Sequence, residues 1–115
     1  QLSGKPFMRT AHGIHRTSGE LADWFGLNAG YLRVGDRADV VIVNPEGLTD
    51  ELDSFTDEPM ENLEGIVRVV NRNDTAVEAT LINGKVAYER LSGFADDLGK
   101  ARGYGQFLPA ATAHA

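Results

Sequence analysis

The chain has 115 residues, 42% of them hydrophobic, which is enough for one modest core and for one domain or part of one. Its formal net charge of −6 disfavours nucleic acid and anionic membrane surfaces as partners, because both are negatively charged. No apolar run reaches the roughly 20 residues of a membrane span, and nothing near Gln1 resembles a signal peptide. The absence of cysteine excludes disulfides and thiolate metal sites, and we expect a cytoplasmic protein. The first residue is Gln, and we expect a piece of a longer chain.

The first strong signal along the chain is a short helix over residues 17–26. Residues 1–16 show neither helical nor alternating hydrophobicity, and we expect a loop or a remnant of an upstream barrel there. Thr17 and Glu20 have the spacing of a capping box, and Gly26 provides a left-handed end. Three apolar residues share one face of this helix: Leu21, Trp24 and Phe25. A helix this short needs a surface to pack on, so we expect that face to be buried.

Residues 30–92 predict β structure. Gly35 allows a tight turn, and Val40–Val43 ("VVIV") form an apolar run without alternation, which is typical of a strand covered on both faces. Residues 44–65 contain no Lys or Arg, and we expect a solvated acidic loop with at most a short helix. Its eight acidic residues are Glu46, Asp50, Glu51, Asp53, Asp57, Glu58, Glu61 and Glu64. Ile66–Val70 predicts a second strand.

Residues 76–90 predict a β-hairpin around Asn83-Gly84, the sequence preferred in a two-residue type I′ turn. This turn pairs Leu81 with Val86, Ala79 with Tyr88 and Val77 with Arg90 on the expected core side. The expected solvent side pairs Ile82 with Lys85, Thr80 with Ala87 and Glu78 with Glu89. Residues 93–115 are expected to form a turn-rich tail. The fold class predicted from these elements is mainly β with one or two short helices.

His12 and His15 are the best candidates for metal ligands, with Glu20 or Asp23 as a third ligand. A hydrolytic zinc site needs three protein ligands and an open position, and this spacing alone does not provide them. Histidines that face solvent or make hydrogen bonds are the simpler interpretation.

The other charged or glycine-rich stretches have simpler structural interpretations as well. Asp50, Glu51 and Asp53 lack the glycine and the terminal Glu of an EF-hand, so a charged surface loop is expected. The "GYG" of residues 103–105 has neither the preceding strand nor the following helix of a phosphate-binding loop.

Nucleophilic catalysis has no support in this sequence. Ser18 and Ser92 have no positioned His and acid around them. Asp39 is the best placed carboxylate, at the entrance of the first strand, and a hydrogen bond to its own turn would explain it. We therefore assign no catalytic, cofactor-binding or metal-binding residue to this chain.

Two segments together resemble the C-terminal end of the amidohydrolase superfamily. These are "LADWFGLNAGYLRVGDRADVVIVNP" and, further on, "ATLINGKVAYERLSG". In that superfamily a G-x-L-x-x-G-x-x-A-D strand entry precedes an apolar strand, and a V-N-G-x-x-V hairpin closes the chain. The helix ending in Phe25-Gly26-Leu27 is most similar to the N-acyl-D-amino-acid deacylase (D-aminoacylase) branch. The resemblance covers residues 16–92, and residues 66–75 have no counterpart in the pattern.

The resemblance implies a metal-dependent parent enzyme that holds zinc or another divalent ion in an upstream (β/α)8 barrel outside this chain. Residues 17–26 would be a barrel-packing helix, and residues 30–92 part of the composite β-sandwich beside the barrel. The implied partners are that barrel and a small N-acyl amino acid substrate. The alternative is a free-standing β-rich module that binds a protein through its acidic loop or a sheet edge. Open sheet edges also predict self-association of the isolated chain.

Overall fold

A computed structural model describes residues 7–111, which are mainly β with short helices. The helices are α1 (Thr10–Thr17) and α2 (Gly19–Phe25). The strands are β1 (Val40–Val43), β2 (Thr56–Met60), β3 (Ile66–Val70), β4 (Val77–Ile82), β5 (Lys85–Glu89) and β6 (Gly93–Phe94). Three 3-10 turns span Pro45–Gly47, Asp50–Asp53 and Glu61–Leu63. These elements form no (β/α)8 barrel, and no helix among them is long and apolar enough to cross a membrane.

The helical region begins earlier than the sequence predicts. The sequence predicts a loop or a remnant of an upstream barrel over residues 1–16. The loop is wrong from Thr10 onward, because α1 occupies that stretch, and the barrel remnant stays a prediction. Residues 1–6 lie outside the described residues. The predicted capping box is also wrong. Thr17 is the last residue of α1, and its hydroxyl donates to the carbonyl of Gly13 at 3.0 Å. The second helix ends as predicted, at Gly26 with φ of 69°.

The apolar face of α2 is uncovered. Only Gly19 and Ala22 are buried in this helix, whereas Trp24 is 78% exposed and stacks on Phe25 with ring centroids 4.9 Å apart. The expectation that Leu21, Trp24 and Phe25 are buried is therefore wrong for this chain. The reason is that α2 packs mainly on α1.

The main sheet has four antiparallel strands in the order β1-β4-β5-β6. The predicted strand at Val40–Val43 is confirmed, and it lies at the edge of this sheet. Val41, Ile42 and Val43 are all exposed, so a strand covered on both faces is the wrong interpretation here. The apolar run lacks a neighbour on its outer side among the described strands.

The β4–β5 hairpin turns at the predicted residues. Asn83 and Gly84 have φ of 51° and 79°, the positive values that a type I′ turn requires. Leu81 pairs with Val86 as predicted, but the register shifts between Thr80 and Leu81. The predicted pairs beyond this bulge are therefore wrong. The observed pairs there are Thr80 with Tyr88 and Ala79 with Glu89.

The bulge changes which side chains are buried and which charges meet. Ala87 is only 2% exposed and Val86 is 50% exposed. The predicted register places Val86 on the core side and Ala87 on the solvent side. Glu78 does not oppose Glu89. Instead, Arg90 Nε donates to the Glu78 carboxylate at 3.1 Å, so the predicted like-charge pair is wrong.

The acidic segment contains a strand that the sequence did not predict. β2 pairs antiparallel with β3, from Thr56 with Val70 to Met60 with Ile66. Loop structure is thus the wrong interpretation for Thr56–Met60, whereas the strand at Ile66–Val70 is confirmed. The predicted tail is likewise wrong at its start, because β6 pairs with β5. Residues 112–115 lie outside the described residues.

The chain exposes far more surface than a compact domain of its size. Its accessible surface is 9280 Å², where about 6100 Å² is expected for a compact monomer of this mass. The Cα radius of gyration is 16.4 Å, against about 13 Å for 100 compactly folded residues. The buried apolar residues in the described part are Ala22, Ala76, Ala87 and Tyr104. Most of the large apolar side chains therefore contribute little to the core of this chain.

Candidate functional site

The predicted metal ligands do not converge. His12 and His15 lie on α1, Glu20 is 3.8 Å from Arg16 and Asp23 accepts a hydrogen bond from the Tyr31 hydroxyl at 2.5 Å. That hydrogen bond raises the pKa of Tyr31. Within residues 7–111 no group of three or more His, Cys, Asp or Glu side chains is arranged to hold a metal ion.

The remaining polar candidates have structural partners or face solvent. Asp50, Glu51 and Asp53 are exposed in a 3-10 turn. The Ser18 hydroxyl donates to the Ile14 carbonyl at 2.6 Å, and the Ser92 hydroxyl donates to Glu89 at 3.0 Å. These contacts stabilise helix and strand ends.

The "GYG" stretch is part of the small core. Tyr104 is buried, and its hydroxyl donates to Asp97 at 2.5 Å. The Lys85 ammonium lies 5.3 Å from the centre of the Tyr104 ring. The tyrosine therefore links the segment after β6 to the β4–β5 turn.

Asp39 joins two motifs that are distant in sequence. One carboxylate oxygen accepts from Arg37 Nε at 2.6 Å, and the other accepts from the backbone N–H of Asn83 at 2.8 Å. The Arg37 contact lowers the pKa of Asp39. The predicted bond to its own turn is wrong, because pairing of β1 with β4 brings the strand entry beside the hairpin turn. Sequence reasoning missed Arg37, whose only signal is its place two residues before Asp39.

One face of the main sheet is apolar and partly uncovered. Pairing places Val40 beside Leu81 and Ile42 beside Ala79, and Val86 continues the row from Leu81. Residues paired across strands, and alternate residues along a strand, share a face. We define the apolar sheet face by these residues: Val40, Ile42, Ala79, Leu81 and Val86. Ile42 and Val86 are each 50% exposed.

The outer edge of β1 adds an unpaired row of backbone groups to this face. Among the strands of residues 7–111, β1 is bonded to β4 on one side only. Natural edge strands are usually protected by charges, proline or bulges. The β1–β4 pairing shifts register between Ile42 and Val43, but all four residues of β1 are valine or isoleucine. An apolar face with an open edge is suited to bind a further layer and a further strand. Within the described residues, this side of the sheet therefore combines exposed apolar side chains with an open strand edge.

Comparison with known proteins gives relatives but no function. The chain is 39% identical over 111 residues to uncharacterized proteins from two strains of Mycobacterium tuberculosis and from Mycobacterium bovis. No protein-family profile matches the chain, and no solved structure matches it. The alignment covers 94% of this chain and 18% of each relative. The chain is therefore similar to a short stretch of much longer mycobacterial proteins.

Proposed function

We propose that this chain is the non-catalytic C-terminal segment of a metal-dependent amidohydrolase, whose parent chain hydrolyses the amide bond of N-acyl-D-amino acids. One observation carries the proposal. The elements that resemble the amidohydrolase superfamily, α2, β1 and the β4–β5 hairpin, each leave apolar surface uncovered, as β3 does outside the resemblance.

The uncovered surfaces of α2, β1 and the hairpin each have a counterpart in such a parent. The open edge of β1 receives a strand from the N-terminal part of the parent, which makes β1 an interior strand. The apolar sheet face then packs on the second layer of a composite β-sandwich. Leu21, Trp24 and Phe25 pack on the (β/α)8 barrel. The mycobacterial relatives, of which the aligned stretch is 18%, are long enough for these parts.

The chemistry of the proposed enzyme belongs to the upstream barrel. There, zinc or another divalent ion activates a water molecule, and the N-acyl amino acid is bound. Residues of this chain stabilise the barrel and hold no ligand or proton of the reaction. We place the parent in the cytoplasm, since the absence of cysteine suits a reducing compartment.

The test uses the full-length parent protein. We expect it to contain a stoichiometric divalent metal and to release amino acid from N-acetyl-D-amino acids faster than from their L enantiomers. Ile42→Asp should lower the yield of folded parent protein, while Val34→Asp, an exposed loop change, should not. A parent without metal, or one that hydrolyses neither enantiomer, would rule out the proposed activity.

The second candidate is a free-standing β-rich module that binds a protein. The observation that favours it is the acidic segment 44–65, which has no basic residue and forms part of a separate two-stranded sheet. A reading frame that encodes only this stretch would support the module, and a frame of several hundred residues would support the enzyme.

A further inference from the structure

The two-stranded ribbon of β2 and β3 stands apart from the main sheet. Its five residue pairs run from Thr56 with Val70 to Met60 with Ile66. Val67 and Val69 of β3 are 63% and 68% exposed. A two-stranded sheet has marginal stability alone, so a third strand would stabilise it.

The two edges of the ribbon differ in their ability to accept that strand. Pro59 of β2 lies opposite Val67 and has no N–H to donate. In an antiparallel ladder, hydrogen-bonded and non-bonded pairs alternate, and a bonded pair exchanges an N–H from each of its two residues. Pro59 has no N–H, so Pro59 and Val67 form a non-bonded pair. The backbone N–H and C=O groups of Val67 and Val69 therefore point away from β2. The outer edge of β2 lacks a donor at Pro59, and the outer edge of β3 keeps its full set.

Carboxylates lie at both ends of β3. Glu61 and Glu64 lie in the connection between β2 and β3. The turn Asp50–Asp53, with three acidic residues, lies at the other end, because the Asn71 side chain donates to the Leu52 carbonyl. Arg72 does not offset this charge, since its guanidinium is paired with Glu58 at 3.1 Å. Along β3, the exposed Val67 and Val69 flank Arg68, which carries a positive charge at the centre of the strand, and carboxylates lie beyond both ends.

We propose that the outer edge of β3 binds an extended peptide segment of another protein, with apolar residues at its centre and Lys or Arg at both ends. The segment adds as a third strand, through backbone hydrogen bonds to Val67 and Val69, and its cations meet the carboxylates at the two ends of β3. The stretch 66–75 has no counterpart in the amidohydrolase pattern. This binding surface is therefore independent of the activity proposed for the parent.

Fluorescence anisotropy with two labelled peptides tests the proposal on the 115-residue chain. The probe is Lys-Lys-Val-Thr-Val-Lys-Lys, and its control replaces every Lys with Glu. We expect the basic peptide to bind and the acidic peptide to bind at least about tenfold more weakly. Val69→Pro removes an outward N–H and should weaken binding of the basic peptide about tenfold, whereas Val69→Ala keeps that N–H and should stay within about twofold.

A second pair of variants keeps the test valid if Val69→Pro does not fold. Glu51→Lys with Asp53→Lys should weaken binding of the basic peptide and flatten its salt dependence. The charge-matched control is Glu20→Lys with Glu89→Lys, on α2 and β5, which should bind as the wild type does. Equal binding of the two peptides, or equal loss in Val69→Pro and Val69→Ala, would overturn the proposal. Loss of self-association in Val69→Pro would also overturn the proposal, because it would mean that the outer edge of β3 pairs with a second copy of the chain.

Discussion

The carboxylate of Asp39 accepts a hydrogen bond from the backbone N–H of Asn83 at 2.8 Å, across 44 positions of sequence. A second hydrogen bond lies beside it: the Gly84 N–H donates to the Ala38 carbonyl at 2.8 Å. The strand entry therefore holds both residues of the hairpin turn. This gives the two segments of the superfamily resemblance a shared structural role in the isolated chain.

Asp39→Ala should lower the free energy of unfolding by about 1 kcal/mol at pH 7, because it removes the acceptor for Asn83 and the partner of Arg37. The value lies at the low end for a charged hydrogen bond because the Asp39 side chain is 44% exposed. Urea unfolding measures it, with Asp96→Ala, an exposed carboxylate outside the cluster, as the control. Equal effects of the two substitutions would show that the Asp39 contacts do not stabilise the fold.

The stabilisation by Asp39 should depend on pH. The hydrogen bond from Arg37 lowers the pKa of Asp39 in the folded chain, so its contribution is complete above the unfolded pKa of about 3.9. It is lost as the pH falls through the lower folded pKa. We expect the difference in unfolding free energy between wild type and Asp39→Ala to be constant from about pH 5 to pH 8 and to shrink below about pH 4. A difference that grows on acidification would contradict the ion pair with Arg37.

Trp24→Ala should change the stability of the 115-residue chain by less than about 0.5 kcal/mol, because the side chain is exposed. Burial against a sheet, as the sequence predicted, would make the same change cost about 3–5 kcal/mol. The comparison variant is Ala87→Leu, at a buried position, which should cost about 1–3 kcal/mol by overpacking. Thermal or urea unfolding of the two variants shows which substitution lowers the free energy of unfolding more.

Gly47→Ala should destabilise the chain by more than about 2 kcal/mol through steric conflict. An added Cβ would lie 2.4 Å from the backbone carbonyl of Thr75, which cannot move without shifting the start of β4. Gly105→Ala is the matched control, since nothing lies within 4 Å of its Cβ position. A Gly47→Ala variant as stable as Gly105→Ala would mean that Asn44–Gly47 does not pack on Thr75 in solution.

The isolated chain should self-associate through the outer edge of β1. Sedimentation velocity over a concentration series should show dimers or larger species, and Val41→Lys should suppress them because a charge on an edge strand opposes pairing. Val34→Lys places the same charge on an exposed loop residue and should leave association unchanged. A wild-type chain that stays monomeric at high concentration would contradict this prediction.

The elements that the sequence predicted correctly are those with local causes. Asn83-Gly84 determines its own turn, and the pairs next to it, Leu81 with Val86 and Ile82 with Lys85, follow from that geometry. Directly after these two pairs, the bulge at Ala87 shifts the register and changes which face is buried. Nothing in the local sequence of β5 indicates that bulge, since it depends on how the strands meet the rest of the chain.

The features that sequence analysis missed depend on partners. β2, with the sequence TDEPM, has no apolar alternation and contains a proline, and it is a strand because β3 pairs with it. The burial expected for Trp24 and β1 assumed surfaces that the described residues do not provide. The long-range role of Asp39 could not be anticipated, because it depends on β1 pairing with β4.

The exposure of Trp24 has a spectroscopic consequence. It is the only tryptophan in the chain, so the intrinsic indole emission comes from a single position on the uncovered face of α2. That emission should have the red-shifted maximum of an indole in water and should be open to quenching by acrylamide. When another surface covers α2, the maximum should move to shorter wavelength and the quenching should decrease. Docking of the helical face can therefore be followed in solution without a label, separately from events at β1 or β3.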